Sequence, residues 1–216
     1  MSKEIIEKIR SNNDLDLALE YALNKLRKAV KKRNDDLHLL NVVTIGDNNK
    51  PNSRNVVLRN FSIENLTIRF HTDKRSSKIK DIEKNEAICL IGYDKKAKLQ
   101  IRIDADAHII KDEEILMDIW KKMYPMSREC YRVSRSPGDK IATLSDIKFA
   151  DDDESNLVGF DNFTAVQCDI KSLEILYLSH QAHIRAKYLN TEGILNGEWV
   201  IPVSYTHLTL PTNREV

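Results

Sequence analysis

Between residues 15 and 32 the apolar side chains Leu15, Leu17, Leu19, Ala22, Leu23, Leu26, Ala29 and Val30 recur at the spacing of one helix face, with lysines and Arg27 opposite. An amphipathic helix is expected there, with its cationic end favourably placed against the helix dipole. The period then shortens to two. Residues 37–45 and 55–60 read as strands flanking a turn at Gly46-Asp-Asn-Asn-Lys-Pro-Asn52, residues 66–72 as a neighbouring strand, and residues 87–93 and 98–109 as a hairpin around Asp94-Lys-Lys-Ala97. In the last of these Leu99, Ile101 and Ile103 point one way and Gln100, Arg102 and Asp104 the other. Helical spacing returns briefly after Ser76 or Ser77, either a suitable N-cap, and again through Ile115, Leu116, Ile119, Trp120 and Met123. Residues 124–159 are irregular. Strand-like runs at 163–170 and 172–178, separated by Lys171, and at 184–188 and 198–201 close the chain, with Asn190-Thr-Glu-Gly193 and Asn196-Gly197 as turns. Short strands with a few helices in 216 residues suit a mainly β (α+β by content) barrel with appended helices.

The candidate chemistry lies between Arg54 and Lys78. A strand with a basic residue at each end, Arg54-Asn-Val-Val-Leu-Arg59, is followed by Phe70-His-Thr-Asp-Lys-Arg-Ser-Ser-Lys78, a basic and hydroxyl-rich turn that opens a helix. A helix start offers free backbone N–H groups to a phosphate. Arg54, Arg75 and Lys78 add full charge.

Composition narrows the classes of partner. With 34 basic and 33 acidic residues the net charge is +1, so no overall field draws the chain to nucleic acid or to an anionic membrane. The acidic run 151–155 reads as a solvated loop. Cys89, Cys130 and Cys168 are too scattered for a metal set or a disulfide framework, and no metal site is expected. Neither a signal peptide nor a run of about 20 apolar residues is present. A cytoplasmic setting is the expectation.

Arg54-x-Val-Val-Leu-Arg59, Phe70-His71-Thr72 with Arg75-Ser76-Ser77-Lys78, Leu99-Gln100-Ile101-Arg102-Ile103, and a late His183-Ile-Arg185 before Glu198-Trp-Val-Ile-Pro202 together resemble the pyridoxamine 5′-phosphate oxidase-like family. The likeness runs from about residue 37 to 202 and is nearest to the family's less characterised flavin-binding branch. It implies an FMN-binding split β-barrel with FMN at the interface of a homodimer, and a small-molecule substrate. On this reading Arg54 and Lys78 hold the phosphate, with Ser76 and Ser77 beside it. Asn55, Val56, Val57, Leu58 and Arg59 run along the flavin ring, His71 and Thr72 stand against it, and Gln100 and Arg185 meet its polar edge. His183 and Arg59 are the catalytic candidates, and because the family's equivalent of residues 124–159 approaches the partner subunit's site, the resemblance makes Arg128, Arg132, Arg135 and Lys140 candidates for contacts to an anionic substrate. The implied activity is hydride transfer from a small substrate to flavin N5, with a non-catalytic FMN-binding or stress-response protein as the alternative.

The sequence departs from the family pattern in two places. Gln181 stands where the vitamin-making enzymes carry a phosphate-gripping Arg, and Leu176 or Tyr177 where a Trp lines the flavin. Residues 1–202 are expected to form one domain. Residues 203–216 read as a non-native, adapter-derived tail and are set aside.

Overall fold

The computed structural model describes residues 2–151, 156–179 and 183–202. Two helices open the chain, α1 (Ser2–Asn12) and α2 (Leu15–Lys31). The second is the amphipathic helix that the pattern predicts; Asp14 caps it by accepting from the Leu17 N–H at 2.8 Å, and Ala18, Ala22, Leu26 and Ala29 are fully buried. The first is not among the predicted elements, although Ile6 and Ile9 bury one of its faces in the core.

Nine strands follow among the described residues: β1 (Leu39–Ile45), β2 (Pro51–Val57), β3 (Asn60–Ser62), β4 (Thr67–Asp73), β5 (Ala87–Asp94), β6 (Leu99–Ile109), β7 (Phe163–Tyr177), β8 (Ile184–Thr191) and β9 (Ile194–Trp199). They form one antiparallel sheet in the order β2-β1-β5-β6-β7-β4-β3, with β8 and β9 branching from β7. The sheet is curled but not closed. Residues 55–58 and 66–72 are not the ladder neighbours that their proximity in sequence suggests, because β2 pairs with β1, and β4 with β3 and β7. The chain touches both ladders where it crosses from one edge to the other, at Leu58 and Arg59: Leu58 N–H donates to the His38 carbonyl and Arg59 N–H to the Arg69 carbonyl, each at 2.9 Å.

The two runs around Lys171 are one strand. Asp104 faces Ser172 while Ala105 faces Ile170, so Lys171 is the extra residue of a bulge, and its ammonium turns out to Asp106 at 2.8 Å. Gly193 makes its turn at φ 85°, but Gly197 lies inside β9. A Cβ at Gly197 would sit 2.5 Å from the Tyr188 ring, so glycine there permits a close approach instead of a turn. Tyr188 in turn donates its hydroxyl to the Leu15 carbonyl at 2.8 Å and pins β8 to the start of α2.

The inner face of the sheet carries Leu40, Val42, Leu90, Ile101, Ile103 and Leu173, all at most 1% exposed, and meets α2. Helix α3 (Ser77–Lys84) sends Ile79 and Ile82 into this core, whereas α4 (Glu113–Lys122) and the single turn α5 (Pro125–Arg128) lie outside it. Trp120 on α4 anchors a second, smaller cluster with Tyr131, Phe160 and Phe163, and donates its indole N–H to the Asn156 carbonyl at 2.8 Å. Among the described residues no helix is long and apolar enough to cross a membrane.

Candidate functional site

Register sorts the candidate residues by face. Arg54 lies opposite Val42, a fully buried residue, so its side chain points inward at the rim of the curled sheet. There Nη1 donates to Thr44 Oγ1 at 2.6 Å and to the Asn52 carbonyl at 3.0 Å, and Nη2 reaches Asp81 Oδ2 at 3.4 Å. Asp81, on α3, also accepts from the Thr44 hydroxyl at 2.6 Å and the Asn52 amide at 3.0 Å. The guanidinium is thus held from three sides before any ligand arrives.

Lys78 belongs to the same corner. Its ammonium donates to Thr72 Oγ1 at 2.8 Å and Ser76 Oγ at 3.1 Å, both neutral oxygens. Burial, and then the nearby Arg54 charge, push the Lys78 pKa below the usual lysine value. Ser76 occupies the N-cap position of α3 but makes no capping bond, because its hydroxyl is turned to Lys78 and Thr72. The corner therefore joins two cations, two hydroxyls and the opening turn of a helix, with Asp81 as the carboxylate on Arg54. That donor set fits a phosphate monoester, whose negative charge would relieve the Lys78–Arg54 repulsion. Ser77, the first residue of α3, is exposed at its mouth.

Arg75 is not part of this arrangement. Its guanidinium is paired with Asp73 at 2.6 Å and also donates to the carbonyls of Val133 and Ser134, tying the 131–149 segment to the strand end. Nearby basic candidates are similarly occupied. Arg128 donates to the Lys121 and Met123 carbonyls, Arg132 to that of Ala150, and Arg135 to that of Lys140.

Gln100 lies on the opposite, outer face. It aligns with Tyr93 on β5, Leu176 on β7 and, through Leu176, Arg185 on β8. Arg185 donates to the buried Glu174 at 2.9 Å, and its Nε is buried without a hydrogen-bond partner among the described residues. His183 Nδ1 accepts from the Ser179 N–H at 3.1 Å, which leaves the proton of the neutral ring on Nε2. Beside them is a cleft of about 200 Å³ to which α1 contributes Arg10 and Asn13 lies at its edge. Gln181, the departure noted in the sequence, lies outside the described residues. Asn55 and Val57 share the outer face through β1, Asn55 donating nothing to the phosphate corner but accepting from the Asn41 amide at 3.3 Å. Val56 and Leu58 are buried in the core.

His71 and Thr72 part company because neighbouring strand residues face opposite ways. Thr72 joins the phosphate corner. His71 lies with Arg59 and Arg69 in a cavity of about 300 Å³ beneath α4, walled by Val30, Ile119 and Tyr124. Arg69 is not among the residues that the sequence singles out, since it reads there as an outward residue of an alternating strand; only the packing of α4 over that face turns it inward. Among the described residues neither nitrogen of His71 has a hydrogen-bond partner, its ring meets Phe163 edge-on at 5.2 Å, and burial, helped by Arg59 and Arg69, holds its pKa down at about 3.

The sign of the resulting pH effect is definite. An unfolded His71 takes up a proton below its ordinary pKa of 6.5, whereas the folded one refuses it until about 3. The unfolded state then binds more protons, so stability should fall as pH drops through that window, by about 1.4 kcal/mol for each tenfold rise in proton concentration and a few kcal/mol at most. In chloride buffer, His71→Phe should flatten the decline of the melting temperature below pH 6.5. An unchanged slope contradicts a buried neutral ring.

Comparison with known proteins bears on the fold and on the stretch that holds this corner. Residues 20–111 match the family described as pyridoxamine 5′-phosphate oxidase, FMN-binding domain. This stretch is similar to that family's FMN-binding domain. It contains Arg54, Arg59, His71, Thr72, Ser76, Ser77, Lys78 and Gln100, and FMN is the cofactor of the domain. Solved structures share the fold: a pyridoxamine 5′-phosphate oxidase-related, FMN-binding protein from Nostoc punctiforme has a TM-score of 0.69 at 21% identity, covering 86% of this chain and 96% of its own. PhzG from Burkholderia lata, solved with tetrahydrophenazine-1-carboxylic acid, has a TM-score of 0.66 at 15% identity, covering 86% and 92%. A protein related to general stress protein 26, from Clostridium acetobutylicum, has a TM-score of 0.51 at 15% identity, covering 77% and 94%. The FMN-binding split barrel is thus the fold of this chain. No curated protein matches it in sequence.

Proposed function

We propose that the protein is an FMN-dependent oxidoreductase working as a pair of identical chains. Each FMN would lie between the phosphate corner of one chain and the Gln100–Arg185 face of the other. The observation that carries this reading is the division of the candidate residues between the two faces of one sheet: Arg54, Thr72 and Lys78 at the inner rim, Gln100 and Arg185 outside. The two sets lie on opposite faces of one sheet, and a two-fold pair would bring them around one ligand, since each chain then presents one face to the other's rim. Leu39 and Tyr93, 51% and 40% exposed on that outer face, are apolar surface that a second copy would cover.

Bound FMN supplies the two-electron redox chemistry, accepting hydride from a small substrate. The chain's own residues do the rest. Arg54 and Lys78 anchor the phosphate, Asp81 and Thr44 keep Arg54 aimed, Gln100 and Arg185 offer N–H donors to the polar ring edge, and His183 presents a proton on Nε2. Asn55 and Val57 would line the ring's approach. Arg59, five residues past Arg54, stands just beyond the end of β2, roughly 16 Å away.

The purified protein should carry a flavin absorbance band, and a reduced nicotinamide or an amine donor should bleach it under anaerobic conditions. Tight FMN that no donor reduces would instead favour a non-catalytic FMN-binding protein. A colourless protein without FMN affinity would reject both.

A further inference from the structure

We propose that the cavity between α1 and one flank of α2 binds a small aromatic carboxylate, with its rings among Ile5, Leu17 and Tyr21 and its carboxylate between Lys28 and Lys32. The inference does not rest on the oxidoreductase reading, because the cavity lies at the far end of the sheet from the phosphate corner. Lys25 on the same flank of α2 is held by Asp94 at 2.6 Å, and Asp94 ends β5 roughly 23 Å along the strand from Ala87, the residue that follows α3 and its turn.

Space is the first observation. The cavity measures about 370 Å³, within the range of ligand pockets and with room for about a dozen water-sized groups. Ile5 on α1 and Leu17 on α2 give it apolar walls, and the Tyr21 ring adds a flat one.

Unmatched polar groups are the second observation. Among the described residues neither the Lys28 nor the Lys32 ammonium has a hydrogen-bond or ion-pair partner. Four residues apart at the end of α2, these like charges repel. Lys25, by contrast, has its carboxylate in Asp94, and the carboxylates lining the cavity are engaged by their own neighbours: Glu20 accepts from the Asn24 amide at 3.4 Å and Asp35 from the Leu37 N–H at 3.1 Å. The Tyr21 hydroxyl is buried without a hydrogen-bond partner among the described residues. The helix dipole accounts for cations at this end of α2, but neither for an apolar cavity beside them nor for a buried hydroxyl left unpaired.

A carboxylate between Lys28 and Lys32 relieves their repulsion and can accept a hydrogen bond from the Tyr21 hydroxyl. Tyr21 and Lys28 stand roughly 10 Å apart along the helix, which favours a body of two fused rings over a short acid. The flat face of such a body suits the Tyr21 ring and gives a lysine ammonium a π-surface to lie over. Inorganic phosphate has the charge but no apolar body for Ile5 and Leu17 to cover.

The probe is naphthoate, titrated by calorimetry at neutral pH into the FMN-saturated protein, beside naphthalenemethanol, which has the same rings without the charge. Saturable binding of naphthoate is expected, about tenfold tighter than that of the alcohol. Lys28→Gln combined with Lys32→Gln, at two exposed positions, should weaken naphthoate about fivefold and leave the alcohol unchanged, and Tyr21→Phe should weaken it about threefold. Leu17→Trp fills the space and should abolish binding of both compounds. No binding of naphthoate, equal affinity for acid and alcohol, or an affinity for the acid that is unchanged in the double lysine variant overturns the proposal. The same naphthoate affinity is expected in Lys78→Ala without FMN, so this site and the flavin reading fail separately.

Discussion

Lys78→Ala is expected to weaken FMN binding by roughly 2 kcal/mol, about thirtyfold, while leaving riboflavin binding nearly unchanged. The ammonium makes no ion pair with the described residues and rests on two hydroxyls, so its removal takes nothing from the fold that a water cannot replace. The phosphate is the one group that distinguishes the two flavins, and Lys78 is the cation of the corner that no carboxylate touches. Arg54→Ala should cost FMN at least as much, but with a second consequence. Asp81, whose pKa is drawn down in part by Arg54, would keep only Thr44 and Asn52 as partners, so this variant should also lose stability. Fluorescence titration with both flavins, beside thermal melts, separates the two effects. Equal losses for FMN and riboflavin in Lys78→Ala would remove the phosphate from this corner.

The local periodicities carry much of this architecture. The helix through Leu23 and Leu26, the hairpin around Asp94 and the alternation about Gln100 depend on neighbours a few residues away, and the sequence displays them. The phosphate corner is legible for the same reason: Thr72, Ser76 and Lys78 lie within seven residues on a strand end and the turn beyond it. What the sequence hides depends on distant segments. Nothing in residues 54–59 says that Arg54 will be gripped by Asp81 across 27 positions. Arg75 looks as available as Lys78, yet Asp73 two residues before it takes its charge. Arg69 reads as an ordinary outward position because α4, more than 40 residues later, is what covers it. Gly197 looks like a turn, and only the Tyr188 ring across the ladder explains it.

The second large effect concerns pairs of chains. In a symmetric pair of Lys78→Ala chains both sites lose their phosphate half, and in a pair carrying Gln100→Ala with Arg185→Ala both lose their ring half. A mixed pair is different: one of its sites takes both altered halves and the other takes both intact ones. Equal amounts of the two variants, unfolded together and refolded, form mixed pairs in about half of cases, so roughly a quarter of all sites should be wild type. The Gln100 and Arg185 changes lie on the outer face and leave the inner core untouched. FMN binding by this mixture, measured at a concentration below the dissociation constant of either variant, is the most direct test of a site shared between two copies. A component of wild-type affinity amounting to about a quarter of the sites is expected. A mixture that binds no more tightly than its two parents would place the whole site within one chain and contradict the shared arrangement.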